Sequence, residues 1–265
     1  MINRLKEFFD AEKIEYFSVL SYSDCKVTRS DIMAREDFAP KSVIIFLVPY
    51  YSGECVNISR YAASRDYHLY LREITAKLSL FLEGEISQIK SKGYGDHSPI
   101  DERDAAAKCA LGIIGDNGLL INEKYGSYVF IGELITNAEA ELFGKFSHCD
   151  VKYCEHCGAC QRACPTEKLS NSKKECLSAI TQKRGGLTES ERQLMRKSGT
   201  VWGCDVCQES CPHNNSPILT PIKFFSEDKI TELTHELLAK MSEEEFLSRA
   251  FAWRGRKVIE RNLEV

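Results

Sequence analysis

Apolar residues along this chain fall into two spacings, and each predicts a different element. From Asp10 the chain begins with amphipathic helical spacing and ends in Val43–Tyr51, VIIFLVPYY. This β-branched and aromatic run of strand length, stopped by Ser52-Gly53, predicts a buried strand. From Ser59, a candidate N-cap, to about Lys90 the apolar residues recur at intervals of three and four, which predicts one long helix ended by Gly93 and Gly95. A second helix is expected over Glu102–Leu111, and short strands over Gly118–Asn122 and Tyr128–Leu134 with Gly126 between them. Such alternation predicts an α/β region over residues 1–147. After Pro217 and Pro221 two short helices are expected, Asp228–Lys240 and Ser242 to about Phe251, the second opening on the capping box Ser242-x-x-Glu245.

Length and composition narrow the class. At 265 residues, with 43% apolar and 28% charged positions, the chain has ordinary globular usage and room for one or two domains. The longest apolar run, Ser42–Tyr51, is about half of what spans a bilayer, and MINRLKEFFDAEKIEYF has no charged-then-apolar leader pattern. The expectation is a soluble, cytoplasmic protein with no membrane partner. A net charge of −4 does not suit a nucleic-acid coat protein. Residues 171–203 nevertheless carry +4, and Arg249, Arg254, Arg256, Lys257 and Arg261 follow, so a basic face exists that is either a solvated helix surface or a contact for an anionic substrate.

Twelve cysteines change the picture, because nine of them lie between Cys149 and Cys211. With no leader expected, that clustering points to metal more than to disulfides. Cys154-x2-Cys157-x2-Cys160-x3-Cys164-Pro165 is the run by which bacterial ferredoxins hold [4Fe–4S] clusters. An incomplete copy follows at Cys204-x2-Cys207-x3-Cys211-Pro212, with Val201 where its first cysteine would stand. Two cubanes need about eight thiolates, and Cys176 is the natural eighth, with Cys149 as its substitute. The crossover rule assigns Cys154, Cys157, Cys160 and Cys211 to one cluster, and Cys164, Cys176, Cys204 and Cys207 to the other. The alternative is a pair of structural zinc sites, which the triple spacing and terminal Cys-Pro disfavour. Cys25, Cys55 and Cys109 read as small core hydrophobes, and His148, His156 and His213 as hydrogen-bond partners. Too few apolar residues accompany the cysteines to make a core, so metal is expected to hold that segment together.

Four separated motifs then carry a resemblance: SRYAASRDYH (Ser59–His68), GDHSPIDER (Gly95–Arg103), the first cysteine run with Pro165-Thr166, and WGCDVCQESCPHN (Trp202–Asn214). Together they resemble the cobalamin-dependent epoxyqueuosine reductases of tRNA modification, relatives of the reductive dehalogenases, over roughly residues 30–263. The resemblance implies an α+β protein in three parts. A nitroreductase-like α/β cobalamin and substrate region would span 1–147, a ferredoxin-like double [4Fe–4S] module 148–218, and a helical tail 219–265. It implies reduction of epoxyqueuosine to queuosine at the tRNA anticodon, with electrons from an external donor. By the same resemblance Asp96 matches the proton donor, a role that suits an epoxide oxygen leaving as water. Arg65, Tyr67, His68 and Ser178 match cofactor contacts.

The chain also departs from the family pattern. Where the family has an aromatic residue and a lysine in a glycine-rich turn, this chain has Leu111-Gly112-Ile113-Ile114-Gly115-Asp116-Asn117, a reversal of charge. C-terminal helical repeats of longer members are expected to be absent. These departures and the acidity motivate two rival expectations: a corrinoid iron–sulfur reductase acting on a small molecule, and a ferredoxin-like electron-transfer protein.

Overall fold

The computed structural model describes residues 1–265. They divide into two compact units, one formed by residues 1–49 and 68–156, the other by residues 50–67 and 157–265.

The first unit is built on a four-stranded sheet in the order β1 (Phe17–Ser21), β2 (Ser42–Pro49), β6 (Val129–Thr136), β3 (Ser91–Tyr94). Every neighbouring pair is antiparallel, so the unit is α+β in type and lacks the parallel crossovers that strict alternation suggests. The predicted buried strand is β2, whose eight residues are all buried. One face, with Val43, Ile45 and Leu47, packs on Ala105, Ala106 and Ala107 of helix Glu102–Lys108. On the other, Phe46 meets Phe9 of helix Ile2–Ala11 at 5.3 Å. A central strand covered on both sides cannot alternate polar with apolar, which explains its uninterrupted run. Gly132 lies opposite Phe46, where a Cβ would come within 2.4 Å of the ring. Short strands β4 (Ile113–Ile114) and β5 (Leu120–Ile121) form a separate ladder.

The long helix runs only over Tyr67–Glu85. Residues 59–66 are instead a short 3-10 turn and loop belonging to the second unit. Ser59 does not cap a helix, because its hydroxyl donates to Asp205. Gly93, expected beyond the helix as a breaker, sits in β3.

The second unit is a set of short helices around Trp202, Phe246, Phe251 and Ile259, all fully or nearly fully buried. Trp202 comes from the cysteine-rich segment and the other three from the tail, so residues 219–265 supply apolar partners that the cysteine segment lacks by itself. Residues 219–265 share one unit with residues 157–218, and residues 50–67 join them. Ser242 and Glu245 form the expected capping box at helix Glu243–Leu247, whereas the preceding helix is shorter than expected, His235–Lys240. No helix is long and apolar enough to cross a membrane.

Candidate functional site

Asp96 lies in the turn between β3 and helix Glu102–Lys108, with a left-handed backbone at φ 60°. Gly95 must precede it, since a Cβ there would come within 2.4 Å of Leu71. The far side of the turn is annealed to residues 26–29: Pro99 O accepts Thr28 N at 2.9 Å and Arg29 N at 3.0 Å, and Asp101 N donates to Lys26 O at 2.9 Å. The Asp96 Oδ2 stands 3.6 Å from His68 Nε2, and the His97 ring sits 2.9 Å from Arg29. A cavity of about 180 Å3 opens beside the turn, lined by His68, Arg72, Tyr94, Gly95 and His97 among others.

Two buried carboxyls adjoin this turn. Burial first, then the Asp96 charge, pushes the pKa of Glu102 up to about 7. The Ser98 hydroxyl donates to Glu133 Oε2, and burial pushes Glu133 up to about 8. Glu133 is fully buried. A glutamate inside the apolar strand VFIGELIT was the available sequence signal, since a buried carboxyl is costly without a purpose.

The other expected cofactor contacts are dispersed. Tyr67 is buried edge-on to Tyr61, and the Arg65 guanidinium lies 4.5 Å over the Phe224 ring, so both are engaged in packing. His68 is therefore the member of its motif that lies beside Asp96. Ser178 lines a separate cavity of about 600 Å3 with Cys176, Gln182, Lys183, Arg184 and Arg254.

No two of the twelve cysteines are joined by a disulfide. Cys160 lies on helix Ala159–Ala163 and Cys207 on helix Val206–Glu209, and these two helices pack together. Burial, then Cys204, Cys176, Asp205 and Cys160, push Cys207 up to about 12. Burial likewise raises Cys204 to about 11, with Cys176 and Cys164 among its charged neighbours. The chain thus gathers Cys164, Cys176, Cys204 and Cys207 into one electrostatic neighbourhood. Cys164 behaves oppositely. Burial raises it, but the Thr166 hydroxyl and the backbone N–H groups of Thr166, Lys168 and Leu169 outweigh that and lower it. A nest of donors prepares a thiolate, and thiolates packed this closely need compensating positive charge. An iron–sulfur cluster fits that donor set. Cys149 takes no part in this group, as its thiol is directed at Ala107 O at 3.5 Å and its N–H bonds Lys108 O. Cys109 is buried in the first unit's core, and Cys25 and Cys55 are half-buried at apolar clusters.

Residues 152–154 pair with β4: Ile114 N bonds Lys152 O, and Cys154 N bonds Ile114 O at 3.0 Å. The next turn carries Asp116, whose Oδ1 is 2.7 Å from His156 Nδ1. Ligand atoms of Asp116, Cys154 and His156 all lie within 4.8 Å of one another. The charge reversal at 116 is therefore met locally by a histidine of the first cysteine run. His148 bonds Val19 O at 2.8 Å.

Two of the four motifs meet through main-chain bonds. Ser59 N donates to Trp202 O at 2.8 Å, Val201 N to Asn57 O at 2.7 Å, and Trp202 Nε1 to the Tyr61 hydroxyl at 2.9 Å. Asp205 accepts the Ser59 hydroxyl and Arg60 N. Ser59–His68 thus clamps the second cysteine loop, a scaffolding role in addition to any contact with cofactor.

Comparison with known proteins closes the question of kinship. The model described as "Epoxyqueuosine reductase QueG, DUF1730" matches residues 37–97, and "4Fe-4S double cluster binding domain" matches residues 153–214. An epoxyqueuosine reductase of Synechocystis is 35% identical over 188 residues, 66% of this chain and 63% of that protein. One of Listeria monocytogenes is 33% identical over 207 residues, 74% of this chain and 53% of that protein. The chain belongs to the epoxyqueuosine reductase family. It spans less than two thirds of the length of these relatives. A crystal structure of an epoxyqueuosine reductase with an epoxyqueuosine-modified tRNA stem loop matches in fold, with a TM-score of 0.79 at 23% identity, covering 99% of this chain and 80% of that one. The double-cluster match spans all eight candidate cysteine ligands.

Proposed function

We propose that this chain is an epoxyqueuosine reductase, removing the epoxide oxygen of epoxyqueuosine in tRNA with two electrons and two protons, the oxygen leaving as water. The observation that carries the reading is the anchored Asp96 turn in a member of this family. Asp96 is the proton donor to the departing oxygen, presented by the left-handed turn, with His68 at 3.6 Å as its neighbour. Protonation of the leaving oxygen is the step a side chain of this chain can supply.

Two [4Fe–4S] clusters deliver electrons singly from an external donor. Cys154, Cys157, Cys160 and Cys211 hold one by the crossover spacing, and Cys164, Cys176, Cys204 and Cys207 the other. The nest of donors at Cys164 supports the second set. A corrinoid in a nitroreductase-like region supplies the two-electron chemistry at the substrate when bound. Of its expected contacts, His68 and Ser178 line cavities and remain candidates, whereas Arg65 and Tyr67 act through packing. A tRNA substrate is favoured over a small molecule because the charge that argued against phosphate, Asp116, is engaged by His156, and an epoxyqueuosine reductase of the same fold binds an epoxyqueuosine-modified tRNA stem loop.

The test is anaerobic incubation of iron–sulfur-reconstituted protein with cobalamin, a strong reductant and epoxyqueuosine-containing tRNA, read by nucleoside mass spectrometry. Loss of one oxygen from the modified base is expected. Corrinoid binding without that loss would move the substrate to a small molecule, and no corrinoid binding would leave an electron-transfer protein.

A further inference from the structure

The second cysteine motif lacks its first ligand, since Val201 stands where a full copy has cysteine. The substitute, Cys176, belongs to another segment and stands at the N-cap of helix Leu177–Thr181. A thiolate borrowed from elsewhere in the chain serves a cluster only if its segment is held against the loop at 201, and spacing along the sequence cannot do that.

Asn262, on helix Arg256–Leu263, makes the connection. Its side chain is buried, and its Nδ2 donates to Thr181 O at 2.7 Å and to Val201 O at 2.8 Å. Thr181 O is a last-turn carbonyl of the helix that follows Cys176, an acceptor left open by helix geometry. Val201 O belongs to the position where the motif lacks its cysteine. On its other side the amide oxygen accepts Arg261 Nε at 3.1 Å and Nη2 at 2.7 Å, so both donors and the acceptor of the carboxamide are used. Arg261 goes on to donate to Lys183 O at 2.7 Å and Gly185 O at 2.5 Å, which ties down the chain leaving that helix. The same junction is closed a second time by Gly203 N, which donates to the Thr181 hydroxyl at 3.0 Å. Cys204, the next residue, packs on the apolar cluster of Leu177, Ile180, Leu187 and Met195.

We propose that Asn262 is the positioning residue of the second iron–sulfur cluster: it joins the helix after Cys176 to the backbone of Val201, and so brings a distant thiolate to the position where the motif lacks one. This rests on the reading of Cys176 as the eighth ligand. The residue type is required by the chemistry, because an apolar side chain cannot join two carbonyls and a carboxylate would set oxygen against both.

The test counts iron in the full chain after anaerobic reconstitution and integrates the electron paramagnetic resonance of the reduced clusters. Asn262→Leu fills the buried space without donors, and Asn262→Ala removes the side chain. Both should fall from about eight irons per chain to about four, with one reduced-cubane signal in place of two. Cys176→Ala should show the same loss, and adding Asn262→Leu to it should cost no further iron, because the two act on one cluster. Arg256→Ala, whose bonds to Leu238 O and Met241 O stay within the tail, should keep all the iron. Full iron in Asn262→Leu beside half in Cys176→Ala overturns the positioning role and leaves the ligand reading intact. Full iron in Cys176→Ala overturns the ligand reading and the inference with it. Loss of all iron in both Asn262 variants assigns Asn262 to the stability of the whole unit and overturns a role specific to the second cluster.

Discussion

Arg60 and Asp205 are joined twice across 145 positions of sequence: the Arg60 backbone N–H donates to Asp205 Oδ2 at 2.7 Å, and its guanidinium reaches the same oxygen at 3.3 Å. Asp205 stands between Cys204 and Cys207, so this pair fixes the second cysteine loop from outside it. Both side chains are under a tenth exposed, and removing one partner of a buried pair costs about 3–5 kcal/mol. Asp205→Ala should lower the melting temperature under anaerobic conditions and lose iron on desalting. Parental melting and iron content would show the clamp to be dispensable.

Gly203 tests the same junction sterically. Its φ is 74°, and a Cβ there would approach the Ser59 Cβ to 2.4 Å. Gly185, at φ 82°, has open space in the same direction. Gly185→Ala should cost only about 1 kcal/mol from backbone strain, and Gly203→Ala about 2–4 kcal/mol, because overpacking adds to it. Equal denaturation midpoints for the two would remove the steric argument.

Glu133 gives stability a pH dependence of fixed sign. Its carboxyl is pushed up to about 8 in the fold, first by burial and with Glu102 adding to it, against about 4.3 in an unfolded chain. Between those values the native state holds a proton that the unfolded state releases. Stability therefore falls as pH rises through that window, by at most about 5 kcal/mol. Glu133→Gln should flatten the decline seen in anaerobic urea unfolding between about pH 5 and pH 8. An unchanged slope would assign it to other groups.

His156 holds a left-handed backbone at φ 53° two residues after Cys154, with its ring on Asp116. Asp116→Lys, which restores the charge sign of the family pattern, removes that acceptor and should weaken the loop carrying Cys154. Iron per chain is expected to drop by about half, one cubane of two, while Asp116→Asn, with an oxygen still available to the ring, keeps both. Full iron in Asp116→Lys would show that the His156 bond does not support the cluster.

The sequence by itself determined whatever depends on neighbours along the chain. The spacing of Cys154, Cys157, Cys160 and Cys164 marked the iron–sulfur module, the run Val43–Pro49 marked the central strand, and Ser242 with Glu245 marked a helix start, because each is read over a few residues by local geometry. Tertiary structure decided the rest. Ser59 has the chemistry of an N-cap, yet its hydroxyl is taken by Asp205 and the helix begins at Tyr67. Cys176 reads as the natural eighth thiolate with Cys149 as its substitute, but it is the fold that brings Cys176 to Cys204 and Cys207. Asp116 reads as a charge reversal until His156 is beside it, and Glu102 and Glu133 read as ordinary acids until burial beneath the Asp96 turn raises them. In each case the partner lies far along the chain, and desolvation and pairing, which set the chemistry of a polar group, exist only once the chain has folded around it.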